Sequence, residues 1–175
     1  MLFISRLSSA LTLALAIAGL TSADPTPTLQ PWQITAMDIN GPGPINIPGA
    51  TGTSPANVTI SFTFFDPNSN RSTTCGATYL PANYPTALSQ IHCADYAVTF
   101  YFTPPYTFFG GNFTLDVEFI DSPAAVPTAY AGSVYVLDNN YTSPANYLSC
   151  YGGAPYAGLT CTQLKTIPVP ITSAT

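Results

Sequence analysis

An all-β domain, an antiparallel β-barrel or sandwich stabilised by two disulfides, is the fold class the sequence predicts, and three observations predict it. Apolar and polar residues alternate with period two in three separate windows, as they do in strands buried on one face. No window of ordinary helix length carries apolar residues at three- and four-residue spacing without an interrupting Pro or Gly. An even number of cysteines, four, follows a leader of export type.

The leader spans 1–23 and reads as a signal peptide. Arg6 gives its positive end, Leu11 to Leu20 is apolar apart from Thr12 and Gly19, and Thr21-Ser22-Ala23 offers small residues before Asp24. The run is shorter than the roughly 20 apolar residues that cross a bilayer, and no later segment resembles a stop-transfer helix. The last residues, Pro168 to Thr175, lack the hydrophobic tail of a lipid-anchor signal. The expected product is secreted, extracellular and free of the membrane.

Residues 24–31 hold Pro25, Pro27 and Pro31 and read as an extended leader. A single domain is expected over 32–167, with a surface loop from Gly41 to Pro55 and a flexible tail over 168–175. The first clear strand is Asn57 to Phe65, where Val58, Ile60, Phe62 and Phe64 alternate with polar neighbours. Tyr96 to Thr103 repeats the pattern, with Tyr96, Val98, Phe100 and Phe102 predicted inward. Asn112 to Ile120 repeats it again, with Phe113, Leu115, Val117 and Phe119 inward. Weaker strand signals cover Trp32 to Met37, Thr73 to Tyr79, Thr128 to Leu137, Asn146 to Tyr151 and Leu159 to Ile167. One helical turn is allowed within Tyr84 to Gln90. Eight strands at this spacing suit a barrel and a sandwich equally.

Charge narrows the partners. The whole chain carries three bases and eight acids, a net charge of −5. Beyond the signal peptide only Arg71 and Lys165 remain as bases, too few to neutralise a nucleic-acid backbone or to favour an anionic membrane surface. Solubility falls to Thr, Ser and Asn and to sugar, for which four sequons offer acceptors: Asn57, Asn70, Asn112 and Asn140. Cys75, Cys93, Cys150 and Cys161 show no metal-type spacing, so two structural disulfides are expected, in any of three pairings. Each bridge over a short loop stabilises by about 3 kcal/mol in the chain-entropy picture.

The order of features, Trp32-Gln33-Ile34, a Val/Ile/Phe strand, Cys75, a long loop to Cys93, a Phe-rich strand, then Tyr147 with Cys150 and Cys161, resembles the Alternaria major-allergen-like family of small secreted fungal proteins. The resemblance covers roughly 32–166. It implies a compact β-barrel or sandwich, the sequential pairs Cys75–Cys93 and Cys150–Cys161, and effector, elicitor or allergen behaviour without catalysis. Partners of that kind are a host (plant) extracellular protein, a cell-wall glycan or a small phenolic ligand. No cysteine lies between Asp24 and Cys75, so the covalent dimer formed through an extra N-terminal cysteine in the best-known allergens is not expected.

Catalytic constellations are sparse. A Ser-His-Asp site would have to use His92, the one histidine, which stands beside Cys93, and no Gly-x-Ser-x-Gly elbow accompanies it. Asp116 and Glu118 share one face of a predicted strand and form the best paired-carboxylate candidate for glycoside hydrolysis, although beside Asn112 and Thr114 they read more simply as solvated surface. Asp66-Pro67 and Asp138-Asn139-Asn140 read as turns rather than metal loops. Eleven Tyr and ten Phe remain. The phenylalanines suit a core, and the tyrosines of the loops, Tyr79, Tyr84, Tyr106, Tyr141, Tyr147, Tyr151 and Tyr156, suit either core ends or a recognition surface. The expectation is therefore a binding protein with no catalytic residue, cofactor or metal. The alternatives are a carbohydrate-active enzyme using Asp116 and Glu118, and a passive cell-wall structural protein.

Overall fold

The computed structural model describes residues 29–43, 55–107, 112–122, 127–152 and 158–175. The signal peptide, most of the predicted leader and most of the predicted loop from Gly41 to Pro55 lie outside the described residues. Eleven strands occur among the described residues: β1 (Trp32–Pro42), β2 (Val58–Asp66), β3 (Arg71–Tyr79), β4 (Ile91–His92), β5 (Val98–Thr107), β6 (Asn112–Asp121), β7 (Thr128–Asp138), β8 (Asn146–Gly152), β9 (Gly158–Gln163), β10 (Ile167–Val169) and β11 (Ile171–Ala174). The only helical element among them is a 3-10 turn at Pro81–Asn83.

The strands run β3-β2-β1-β9-β8-β7-β6-β5-β4 in one sheet that curls into a nearly closed barrel. Strands β10 and β11 join it between β1 and β7, β10 on β1 and β11 on β7. The predicted alternation holds in β2 and β6, where Val58, Ile60, Phe62 and Phe64 and Phe113, Leu115, Val117 and Phe119 are all buried inside. Aromatic rings fill the interior edge to face, Phe62 against Phe100 at 5.0 Å and Phe102 against Phe113 at 5.4 Å. A small barrel has an interior that side chains can fill, and these rings supply much of the filling.

Two long strands divide their edges. The first residues of β1 pair with β10 and its later ones with β9, while β7 pairs with β11 near its start and with β8 at its end. A bulge in β1 between Thr35 and Asp38, with Ala36 at φ 52°, marks the changeover. The Gln163 amide fills the break: it donates to Ile34 C=O at 2.8 Å and accepts the Met37 N–H at 2.7 Å. Bulges of this kind bend a strand and redirect its second half, here allowing β1 to serve two partners on one side.

The remaining gap lies between β3 and β4. Cys75–Cys93 bridges it, Ala94 N–H donates to Thr74 C=O at 2.8 Å, Asp95 N–H donates to the Thr73 hydroxyl at 2.8 Å, and Arg71 pairs with Asp95. The second disulfide, Cys150–Cys161, ties β8 to β9 at directly opposed positions. These are the sequential pairs that the resemblance implies.

Several expectations need correcting. Tyr96 does not face inward: it is 78% exposed, because Asp95 caps a turn through Ala97 N–H and β5 begins only at Val98. Thr99, expected outside, is buried, with its hydroxyl donating to Gln90. The predicted tail 168–175 holds most of β10 and all of β11, anchored by Val169 opposite Trp32 and by Thr175 N–H donating to Ala129 C=O at 2.9 Å. The single run Leu159 to Ile167 is broken by the turn at 164–166 into β9 and β10. The β7–β8 pair is parallel rather than antiparallel. Asn139 turns the chain at φ 48° and its amide spans the Cys150 peptide, donating to C=O at 2.7 Å and accepting N–H at 3.1 Å.

This packing sets three stability outcomes. A methyl group on Gly132 would lie 2.8 Å from the Pro170 carbonyl and 2.9 Å from the Trp32 ring, so Gly132→Ala is expected to destabilise by about 1–3 kcal/mol in urea denaturation. At Gly41 the nearest atom is 3.4 Å away, and Gly41→Ala is expected to change stability by less than about 1 kcal/mol. Removing Cys75 and Cys93 together, which frees a loop with a sequence separation of 18, is expected to cost about 3 kcal/mol. Hydrogen exchange should then accelerate first along β3 and β4, and uniform acceleration would deny the bridge its role at the seam.

Candidate functional site

Five strand ends meet at one mouth of the barrel. Trp32 opens β1, Asp66 closes β2, Asp121 closes β6, Tyr130 lies near the start of β7 and Ile171 opens β11. Together with Leu29, Asn68, Ser69 and Phe119 they line a cleft of about 180 Å³. Barrel mouths are common ligand sites, because strand ends bring side chains from distant sequence positions to one place.

The floor is aromatic. Trp32 packs edge-on against Phe64 at 5.4 Å and Phe119 at 6.3 Å. Tyr130 stacks on Phe119 at 6.4 Å with an interplanar angle of 21°. The Arg71 guanidinium lies 5.1 Å from the Phe119 centroid while paired with Asp95.

The rim is polar and tightly bonded within itself. Asp66 is buried and accepts from Asn68 N–H at 3.0 Å, from the Asn68 amide at 2.8 Å and from the Ser69 hydroxyl at 2.6 Å. These bonds build the turn that carries the chain from β2 into β3, completed by Asn70 at φ 55°, a conformation Asn tolerates. Asn68 also clasps the segment that enters β1, accepting Gln30 N–H at 2.8 Å and donating to Gln30 C=O at 2.9 Å. Leu29 is thereby held over the cleft. Asp121, half-buried, completes the rim.

The sequence-predicted candidates lie elsewhere. Asp116 and Glu118 project from the outer face of β6, two residues apart and about 7 Å along the strand. Asp116 accepts the Thr103 hydroxyl at 2.8 Å, and Glu118 is hydrogen-bonded by the Tyr101 phenol. Glu118 also borders an outer cleft of about 230 Å³ with Ile120, Ala131, Ser173 and Thr175, and Tyr130 lines both this cleft and the mouth. His92 is exposed, its ring against Tyr96 at 5.1 Å and its Nδ1 3.3 Å from the Tyr96 carbonyl. Among the described residues no group of three His, Cys, Asp or Glu side chains forms a metal-binding cluster.

Of the sequon residues, Asn57, Asn70 and Asn140 are exposed and Asn112 is half-buried at the start of β6. The Thr142 hydroxyl donates to the Asn140 side chain at 3.0 Å. Of the tyrosines expected in loops, Tyr79 closes β3 and Tyr147 and Tyr151 belong to β8, because strand pairing extends over them; Tyr79 is buried against Phe102, Tyr147 carries the Lys165 ammonium 4.8 Å from its ring centroid, and Tyr141 is 74% exposed. Tyr156 and the Tyr106 side chain lie outside the described residues. The tyrosine that reaches the mouth, Tyr130, belongs to a strand and not to a loop. Nothing in the sequence marks Asp66, Asp121 and Tyr130 as neighbours, since only the register of β2, β6 and β7 brings them together.

Comparison with family models, with curated proteins and with solved structures finds no match to this chain. No helix among the described residues is long and apolar enough to cross a membrane.

Among the described residues two phenols are held above the ordinary tyrosine range. Burial pushes Tyr79 well above the ordinary value of 10.0. Burial also raises Tyr101, aided by the negative charges of Asp116 and Glu118 and by the hydrogen bond to Glu118. Both phenols keep their protons in the folded chain at a pH where the unfolded chain releases them. Their stabilising effect is therefore complete below about pH 10 and declines as the pH rises further. Melting temperatures are expected to fall above that pH, less steeply in Tyr79→Phe. Glu118→Gln should lower the absorbance midpoint of Tyr101, and an unchanged midpoint would remove Glu118 from its surroundings.

Proposed function

We propose that this chain is a secreted, disulfide-stapled binding protein of the effector or allergen-like kind, related to the Alternaria major-allergen-like family, and that it acts by holding a ligand at the barrel mouth without chemically altering it. One observation carries the reading: the cleft with an aromatic floor and a hydrogen-bonded rim, built from strand ends and reinforced by the Asn68 clasp. Its volume suits a guest about the size of one ring, since an engineered apolar cavity of about 150 Å³ takes up benzene. Such a guest is a small phenolic ligand, one residue of a cell-wall glycan or a side chain of a host extracellular protein.

Other features support the same reading. The barrel-like sheet and sequential disulfides agree with what the family resemblance implies, and two disulfides suit an oxidising extracellular setting. The exposed positions of Asn57, Asn70 and Asn140 suit N-linked glycans on an exported protein. His92 contacts Tyr96 through its ring and one nitrogen, not a carboxylate or serine, and Asp116 and Glu118 point away from the mouth.

The test is a binding screen of the purified secreted protein against glycan arrays, small phenols and plant apoplastic extract, with Tyr130→Ala and Tyr141→Ala compared after both are shown to melt cooperatively. Capture of at least one class is expected, weakened at least tenfold in Tyr130→Ala and unchanged in Tyr141→Ala. Capture indifferent to Tyr130 would move the site away from the mouth. Hydrolysis of cell-wall polysaccharide that disappears in Asp116→Asn would replace binding with catalysis.

A further inference from the structure

We propose that the barrel mouth selects a guest carrying a protonated amine on a small apolar body. This inference rests on the binding reading above and specifies its ligand. Hydrogen-bonding capacity is the starting point. Asp66, Asn68 and Ser69 already satisfy one another and the Gln30 peptide. Asp121 is the rim carboxylate left facing the cleft, and an ionised carboxylate only accepts hydrogen bonds. The guest must therefore bring donors.

Charge narrows the guest further. Among the described residues no Lys or Arg lines the cleft, whereas two carboxylates do. Beyond the signal peptide the chain has just two bases. Arg71 is paired with Asp95, the one ion pair among the described residues, and Lys165 donates to the Pro144 carbonyl on another part of the surface. Among the described residues both side-chain bases are thus engaged elsewhere, and the counter-charge to Asp121 is assigned to the ligand. The remainder of such a guest suits Leu29, Tyr130 and Ile171, the apolar lining residues that keep exposed surface, whereas Trp32 and Phe119 are almost wholly buried and Phe119 is already covered by Tyr130 and Arg71. A carboxylate or phosphate ligand would meet the like charge of both lining carboxylates, and the Arg71 guanidinium on the Phe119 ring is already paired with Asp95. A neutral hydroxylated ring would satisfy Asp121 without supplying charge.

Three probes of nearly equal shape separate these possibilities: benzylamine, benzyl alcohol and benzoate, titrated into the isotopically labelled full-length secreted protein and followed by backbone amide shifts, with methyl glucoside as the sugar control. Benzylamine is expected to shift Leu29, Asp121 and Tyr130 and to bind at least tenfold more tightly than benzyl alcohol, with benzoate leaving these residues unmoved. Asp121→Asn is expected to bring the amine and the alcohol to equal affinity while the alcohol still binds. Equal affinity of amine and alcohol in the unaltered protein, or methyl glucoside binding in place of the amine, would overturn the charge selectivity and leave the binding function standing. Failure of every probe to move the mouth, together with capture of a ligand elsewhere on the surface, would overturn both the amine assignment and the mouth as the site.

Discussion

The Trp32 indole, almost wholly buried, packs so close to Gly132 that a methyl group there would lie 2.9 Å from the ring. Much of the molecule depends on that approach. Gly132 lies opposite Val117 of β6 and opposite Ile171 of β11, so one missing side chain lets β1, β6, β7 and the C-terminal strands converge around a single ring. The same indole contacts Phe64 and Phe119 and so forms the floor of the mouth. Core packing and the shape of the mouth are thus set by one close contact, and a change that loosens the first alters the second.

The C-terminal strands complete this arrangement. Because β1 and β7 each pair with two partners on one edge, the space between their first halves is filled by β10 and β11 and that between their second halves by β8 and β9. Each short strand gains stability from the long one it lies on and has little of its own. The bulge at Ala36 with its Gln163 bracket is the local device that permits this division, since a side-chain amide there replaces the ladder hydrogen bonds that the bulge removes. On the opposite side of the barrel, covalent bonding at Cys75–Cys93 and the Arg71–Asp95 pair do what further strand pairing would otherwise do. A sheet edge left open there would offer unpaired peptide groups to other chains.

The outer and inner faces of β6 divide the possible chemistry. Inward, Phe119 contributes to the aromatic floor; outward, Asp116 and Glu118 form a hydrogen-bonded patch with Thr103 and Tyr101. Because successive residues of a strand point to opposite faces, a pair of carboxylates two apart stays together but cannot join residues that face the barrel interior. Period-two alternation, which made these two acids conspicuous in the sequence, also separates them from the mouth.

What the sequence by itself determined is the set of strongly periodic strands. In β2 and β6 every second residue is large and apolar, and the demand to bury that face holds in any sheet that contains them. The even cysteine count likewise pointed to two bridges before any pairing was visible. Weak or interrupted patterns were less legible. Tyr96 continued an apolar alternation, yet the Asp95 turn at its side ended the strand first. Strand β11, with Thr172, Ser173 and Ala174 exposed, has too little apolar content to announce itself, and only β7 makes it a strand. The tertiary structure alone decided between barrel and sandwich, because closure depends on which strand edges meet and not on which faces are apolar. It also alone assembled the mouth, since Trp32, Asp66, Asp121, Tyr130 and Ile171 become neighbours through sheet register, a long-range property that no local pattern of residues encodes.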